Sequence, residues 1–153
     1  MLPIHTASTV RLQAHASRHT HYERIGGREA IVRLVEAFYL AMETEPAAAA
    51  IRAMHERDLT HTKAVLVTYL CEWMGGAKGY TAERGPPRLR MRHQPFAIDD
   101  AARDAWMACM RSALAQVCPD ADLKRELEAA FFKVADFLRN QPSPPSPPTK
   151  AER

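Results

Sequence analysis

The sequence predicts an all-α fold, and three observations carry that prediction. Apolar residues recur at i, i+3, i+4 and i+7 in four long segments; no stretch shows the two-residue alternation of a half-buried strand; and Gly, Pro and Asp fall where helices should start and stop. At 153 residues the chain has the length of one domain with a sizeable core. Its 46% apolar and 25% charged residues are ordinary for a soluble globular protein.

The elements follow in order. Residues 1–21 hold four of the seven histidines (His5, His15, His19, His21) with no core-forming period, and read as a mobile arm. Ile31, Leu34, Val35, Phe38 and Met42 form a helical stripe that starts after Gly26-Gly27 and ends before Glu45-Pro46. AAAAIRAM, Ala47 to Met54, is a short helix led by Pro46, a good first-turn residue. Thr60 is placed to cap a third helix carrying Val65, Leu66, Tyr69, Leu70 and Trp73, stopped by Gly75-Gly76. Asp99 is placed to cap a fourth, with Trp106, Met110, Ala113, Leu114 and Val117 inward and Cys118-Pro119 as its end. A fifth runs from about Asp122 through Leu127, Phe131, Val134 and Leu138. Residues 141–153 are proline-rich and too poor in apolar surface to offset ordering entropy, which predicts a disordered tail and a domain over 22–140.

Charge and cysteine content narrow the class. The net charge of +3 is too mild to imply nucleic-acid binding, although Arg84, Arg88, Arg90 and Arg92 crowd one segment. Cys71 and Cys109 sit in apolar helical patterns and Cys118 has no CxxC partner, so buried reduced thiols are expected. No apolar run is long enough for a membrane span and the N-terminus lacks a signal-peptide core, so a cytoplasmic protein is the default expectation. No Walker loop, zinc-protease motif or nucleophile elbow occurs.

Gly75 to Phe96 does not fit a plain bundle, because helix connections are usually far shorter. It closes with RLRMRHQPF (Arg88–Phe96), which puts one imidazole, His93, behind a basic run. No second ligand stands near His93 at zinc spacing, whereas a haem iron needs only one protein ligand. Arg90 and Arg92 suit propionate carboxylates, and Pro95 and Phe96 suit a stiff apolar turn. A helix-capping histidine beside a solvated or phosphate-binding arginine face is the other reading of the same residues. Tyr39 and Trp106 read as core aromatics unless their helices surround a cofactor. His15, His19 and His21 could share a metal, though such trios in unpatterned arms are usually incidental.

Taken together, YERIGG (Tyr22–Gly27), Phe38-Tyr39, MHERDL (Met54–Leu59), WMGGAKGY (Trp73–Tyr80) and PRLRMRHQPFAIDDAARDAWMACM (Pro87–Met110) resemble the group II truncated haemoglobins, over roughly Tyr22 to Asn140. The resemblance implies a two-over-two helical sandwich around haem b, with His93 as the iron ligand. It implies a distal pocket of Tyr39, His55, Thr62, Leu66 and Trp106. Arg92 would pair with a propionate, it or a neighbour serving alone because Val65 stands where many members have a basic residue, and Tyr80 and Phe96 would contact the haem or brace its loop. Ala77 replaces a proline common after the Gly-Gly.

The implied function is reversible binding of O2, CO or NO. Three donors (Tyr39, Trp106, His55) would slow ligand release, which favours sensing, storage or redox chemistry over bulk oxygen transport. Nitric-oxide dioxygenation and peroxide reduction stay open as enzymatic roles; each needs electrons, and without a flavin or nicotinamide fingerprint a reductase would be a separate partner. The alternative is an all-α nucleic-acid-binding module using the Arg84–Arg92 segment, against which stand the mild charge and the lack of a helix-turn-helix signature.

Overall fold

Caps and apolar stripes place the helices. In the computed structural model of the chain, which describes residues 19–142, α1 (His21–Ile25) begins at Thr20, whose hydroxyl accepts from the Glu23 amide. Gly26 ends it at φ 113°, a left-handed conformation open to glycine and strained for residues with a β-carbon. α2 (Gly27–Thr44) buries Ile31, Leu34, Val35, Phe38, Tyr39 and Met42. A 3-10 turn (Pro46–Ala48) and α3 (Ala49–Ala53) follow, with Pro46 in the first turn. Then come α4 (Thr60–Trp73), α5 (Gly79–Arg84), α6 (Leu89–His93), α7 (Asp100–Val117) and α8 (Ala121–Phe137), with no strand among the described residues.

Several expectations shift in detail. Thr60 does not cap α4 but is its first residue, because the Asp58 carboxylate accepts from both its amide (3.0 Å) and its hydroxyl (2.7 Å). Asp99 does cap α7, accepting from the Ala102 amide. Asp120 caps α8, so that helix starts one residue before Asp122. The connection from Gly75 to Phe96 is not an open loop: α5 and α6 lie within it, each too short to display a helical period. His21, assigned to the arm, stands in α1. Residues 1–18 and 143–153, with His5, His15 and most of the expected arm and tail, lie outside the described residues.

α2 packs across α7, α4 lies against α2, and α8 lies against α7, which gives two helices crossed over two. Their shared core includes Phe38, Leu34, Leu70, Met107, Met110, Leu114, Leu123 and Leu127, all essentially sealed from solvent. Each large side chain contributes about 2 kcal/mol through removal of apolar area from water. On α7 the expected stripe holds at Met110, Ala113 and Leu114, whereas Trp106 and Val117 are only half-buried and Met107 and Cys109 are inward. On α4 only Leu70 of the expected stripe is buried, joined by Val67 and Cys71, which leaves Leu66, Tyr69 and Trp73 half-buried.

Tyr22 explains why the second Gly of Gly75-Gly76 carries no side chain. Its amide donates to the Met74 carbonyl at 2.8 Å, and its ring lies over the end of α4. A β-carbon at Gly76 would stand 2.8 Å from the Cys71 carbonyl oxygen and 2.9 Å from Tyr22 Cδ2. The N-terminal helix therefore docks on the C-terminus of α4 only because Gly76 has no side chain.

Candidate functional site

The two histidines singled out in the sequence use their rings alike. His93 ends α6, half-buried, with Nδ1 2.6 Å from the Leu89 carbonyl oxygen. A carbonyl can only accept, so the neutral ring carries its proton on Nδ1 and keeps a lone pair on Nε2. His55 does the same one turn beyond Ile51, at 2.7 Å from that carbonyl. Nε2 of neutral His55 is thus an acceptor, and the expectation of a His55 N–H donor changes to that extent.

Tyr39 is buried on α2, and Phe38 beside it packs against both Tyr39 and Trp106. The Phe38 ring centroid lies 5.0 Å from that of Tyr39 and 5.1 Å from that of Trp106. Trp106 in turn lies 5.7 Å from Phe131, and Tyr39 lies edge-on to His55 at 5.8 Å. Sequence periodicity marks Phe38 only as core, and nothing in the pattern signals that it spaces Tyr39 from Trp106. Neither the Tyr39 hydroxyl nor the Trp106 indole N–H has a protein hydrogen-bond partner among the described residues, and neither is sealed away. Burial, opposed weakly by the Arg52 charge, pushes the Tyr39 phenol up to about 12, which keeps it an O–H donor. Thr62 and Leu66, both half-buried, sit one turn apart on α4.

The basic segment is divided among separate partners. Arg84 reaches Nε2 of His61 at 3.1 Å. Arg90 stacks over the Phe137 ring at 4.9 Å, a cation–π contact with α8. Arg92 donates from Nε to the Pro87 carbonyl at 3.1 Å, and its two terminal amino groups make no hydrogen bond among the described residues. Tyr80 is buried edge-on against Tyr69, 5.5 Å away, and so braces the loop. Phe96 is 40% exposed, and its amide closes the turn by donating to the His93 carbonyl at 3.0 Å. Asn140, which the sequence marks only as the end of the domain, bonds to the same turn.

Two other features stand apart. A depression lined by Glu43, Glu45, Arg52 and Arg57 shares only His55 with the site, and its charged rim suits water better than a flat apolar cofactor. Of the arm histidines, His19 bonds Glu23 and His21 pairs with Glu126; among the described residues no three metal-ligating side chains converge.

An imidazole with a free Nε2, two donors without partners and half-buried Leu66 and Trp106 fit an iron porphyrin. Residues 20–140 match the family described as bacterial-like globin. The chain belongs to that family. It is 33% identical over 120 residues to the group 2 truncated hemoglobin YjbI of Bacillus subtilis, covering 78% of this chain and 88% of that one. The group II 2-on-2 hemoglobin of Agrobacterium tumefaciens superimposes with a TM-score of 0.78 at 36% identity, over 81% of this chain and 96% of that one. The cold-adapted truncated hemoglobin of Pseudoalteromonas haloplanktis TAC125 gives 0.78 at 34% identity, over 80% and 99%. The chain is thus a haem-binding globin of the truncated, two-over-two type, from a family that takes diatomic gases. Among the described residues no helix is long and apolar enough to cross a membrane.

Proposed function

We propose that this globin binds haem b through His93 and retains O2, CO or NO under Tyr39 and Trp106, for sensing, storage or NO and peroxide redox chemistry. The observation that carries the reading is the division of hydrogen-bonding capacity. His93 engages Nδ1 and keeps Nε2 basic, while Tyr39 and Trp106 keep their protons free.

Haem, when bound, supplies an iron with one position open to a diatomic gas. His93 Nε2 would hold the iron, and its Nδ1–H bond to the Leu89 carbonyl fixes the tautomer and ring rotation. Tyr39 O–H and Trp106 N–H donate to a ligand carrying partial negative charge, and each contributes on the order of 1 kcal/mol, a several-fold slowing of release. Neutral His55 accepts through Nε2, which can orient a neighbouring hydroxyl or water. Leu66 and Thr62 limit the space and polarity opposite them. Arg92 offers its terminal amino groups to a propionate. Turnover of NO or peroxide would draw electrons from a separate reductase.

Absorption spectra of the oxidised, reduced and CO-bound protein test this. A strong Soret band is expected in the wild type and a much weakened or displaced one in His93→Ala. A protein that stays colourless after haem supplementation, or a variant that binds haem identically, would sink the reading. The separate partners of Arg84, Arg90 and Arg92 weaken the nucleic-acid alternative, which requires salt-steep DNA or RNA binding lost when those arginines are neutralised.

A further inference from the structure

The geometry points to Asn140 as a positioning residue for the His93 imidazole, a role that rests on the haem reading above. Asn140 lies three residues past Phe137, the last residue of α8, yet it engages the turn that joins α6 to α7 on three sides. Its backbone amide donates to the Ile98 carbonyl at 2.9 Å, and its Oδ1 accepts from the Ile98 amide at 2.8 Å. Its Nδ2 donates to the Phe96 carbonyl at 2.8 Å and, more weakly, to the His93 carbonyl at 3.4 Å. His93 ends a five-residue helix and Phe96 lies just beyond it, where carbonyls lack helical partners; the His93 carbonyl also accepts from the Phe96 amide. Only a carboxamide of this length offers both a donor and an acceptor there.

The platform that carries Asn140 is itself fixed. Arg139 donates to Asp136 and to Asp100, at 2.8 Å each, and Arg103 donates to Asp136 at 2.8 Å. These bonds tie the end of α8 to the first turn of α7. Arg90 adds its contact with Phe137 from the α6 side. The ring of His93 is therefore set by two pins: Leu89 fixes its rotation, and Asn140 fixes the backbone from which it projects. α6 has no buried residue that could do this by packing.

The test uses the full chain as wild type, Asn140→Ala and Asn140→Asp. In the haem-free protein, the Ile98 amide should exchange with solvent about five-fold faster or more in Asn140→Ala, while Asn140→Asp keeps the acceptor and the protection. In the haem-loaded ferrous protein both variants lose the Nδ2 donations. Both should shift or broaden the iron–histidine stretching band and pass haem to an acceptor apoprotein about five-fold faster. The C–O stretch of the CO complex, which reports Tyr39 and Trp106, should stay where it is. An unmoved iron–histidine band with an unchanged haem-transfer rate overturns the inference, as does a C–O shift of similar size, which marks general loosening. If Asn140→Ala does not fold, Asn140→Asp decides alone, through a moved iron–histidine band with Ile98 still protected. A colourless wild type would instead defeat the haem reading.

Discussion

Tyr39 and Trp106, the proposed distal donors, sit on α2 and α7, two 18-residue helices that pack together more extensively than any other pair among the described residues. His93, the proposed iron ligand, sits on a five-residue helix with no buried residue, held by backbone carbonyls, one stacked ring and a distant asparagine. Tyr39 and Trp106 thus take their geometry from the hydrophobic core and cannot move without repacking it. His93 takes its geometry from a few polar contacts, each weak alone and open to water. Changes to the distal wall should appear first as lost stability, and changes to the proximal strap first as altered haem contact.

Phe38→Ala is the most severe way to break that contrast. It empties the space between the two donors and should cost about 3–5 kcal/mol in urea unfolding. A loss under about 1 kcal/mol would mean that the distal wall is not core-set. Gly76→Ala should cost about 1–3 kcal/mol, read as a lower melting temperature, because its β-carbon meets a carbonyl oxygen rather than a flexible chain end. Tyr39→Phe should leave folding nearly intact and speed O2 release several-fold in stopped flow, through loss of about 1 kcal/mol of hydrogen bonding. Arg90→Ala removes an exposed cation–π contact of about 0.5–1 kcal/mol, so its melt should barely change while haem loss quickens.

Titration sharpens the same contrast more gently. The Asp136 carboxyl is held below its ordinary range, first by the Arg103 hydrogen bond and also by Arg139. A depressed acid contributes stability that is fully present above its unfolded value and is lost as pH falls through its folded value. The tie between α8 and α7 should therefore persist through neutral pH and loosen only below roughly pH 4, seen as faster haem release. Tyr39 runs the other way. Its phenol is raised from 10.0 to about 12, so the fold holds that proton and loses stability as pH climbs between those values. Urea midpoints across the alkaline range should fall for the wild type and less for Tyr39→Phe.

What the sequence made legible divides along the same line. α2, α7 and α8 each bury a regular stripe, so their existence and most of their inward residues could be read from periodicity alone. α5 and α6 could not, since five or six residues show no period, and α6 buries nothing. Thr60 is not the cap of α4, because the Asp58 carboxylate accepts from its amide and hydroxyl and draws it into the first turn, leaving Leu59 at the cap position. The proton position on His55 depends on the Ile51 carbonyl one turn back, a contact that exists only once α3 has formed. Asn140 left no local signal at all, because its partners lie more than 40 positions earlier.

One buried feature makes this globin able to report on its own motions. Cys71, Cys109 and Cys118 are all free and buried, and burial pushes each thiol up from its ordinary value. Only a thiolate reacts with alkylating or nitrosating reagents, so the closed fold should leave all three almost inert. Cys109 lies at 0% exposure between the long helices, so its labelling should track global opening. The Cys71 thiol lies beside Arg28 in the first turn of α2, and its labelling should track local opening of α4 from that end of α2. Reaction rates at two sulfurs would then serve as separate clocks for two modes of breathing, with no probe attached.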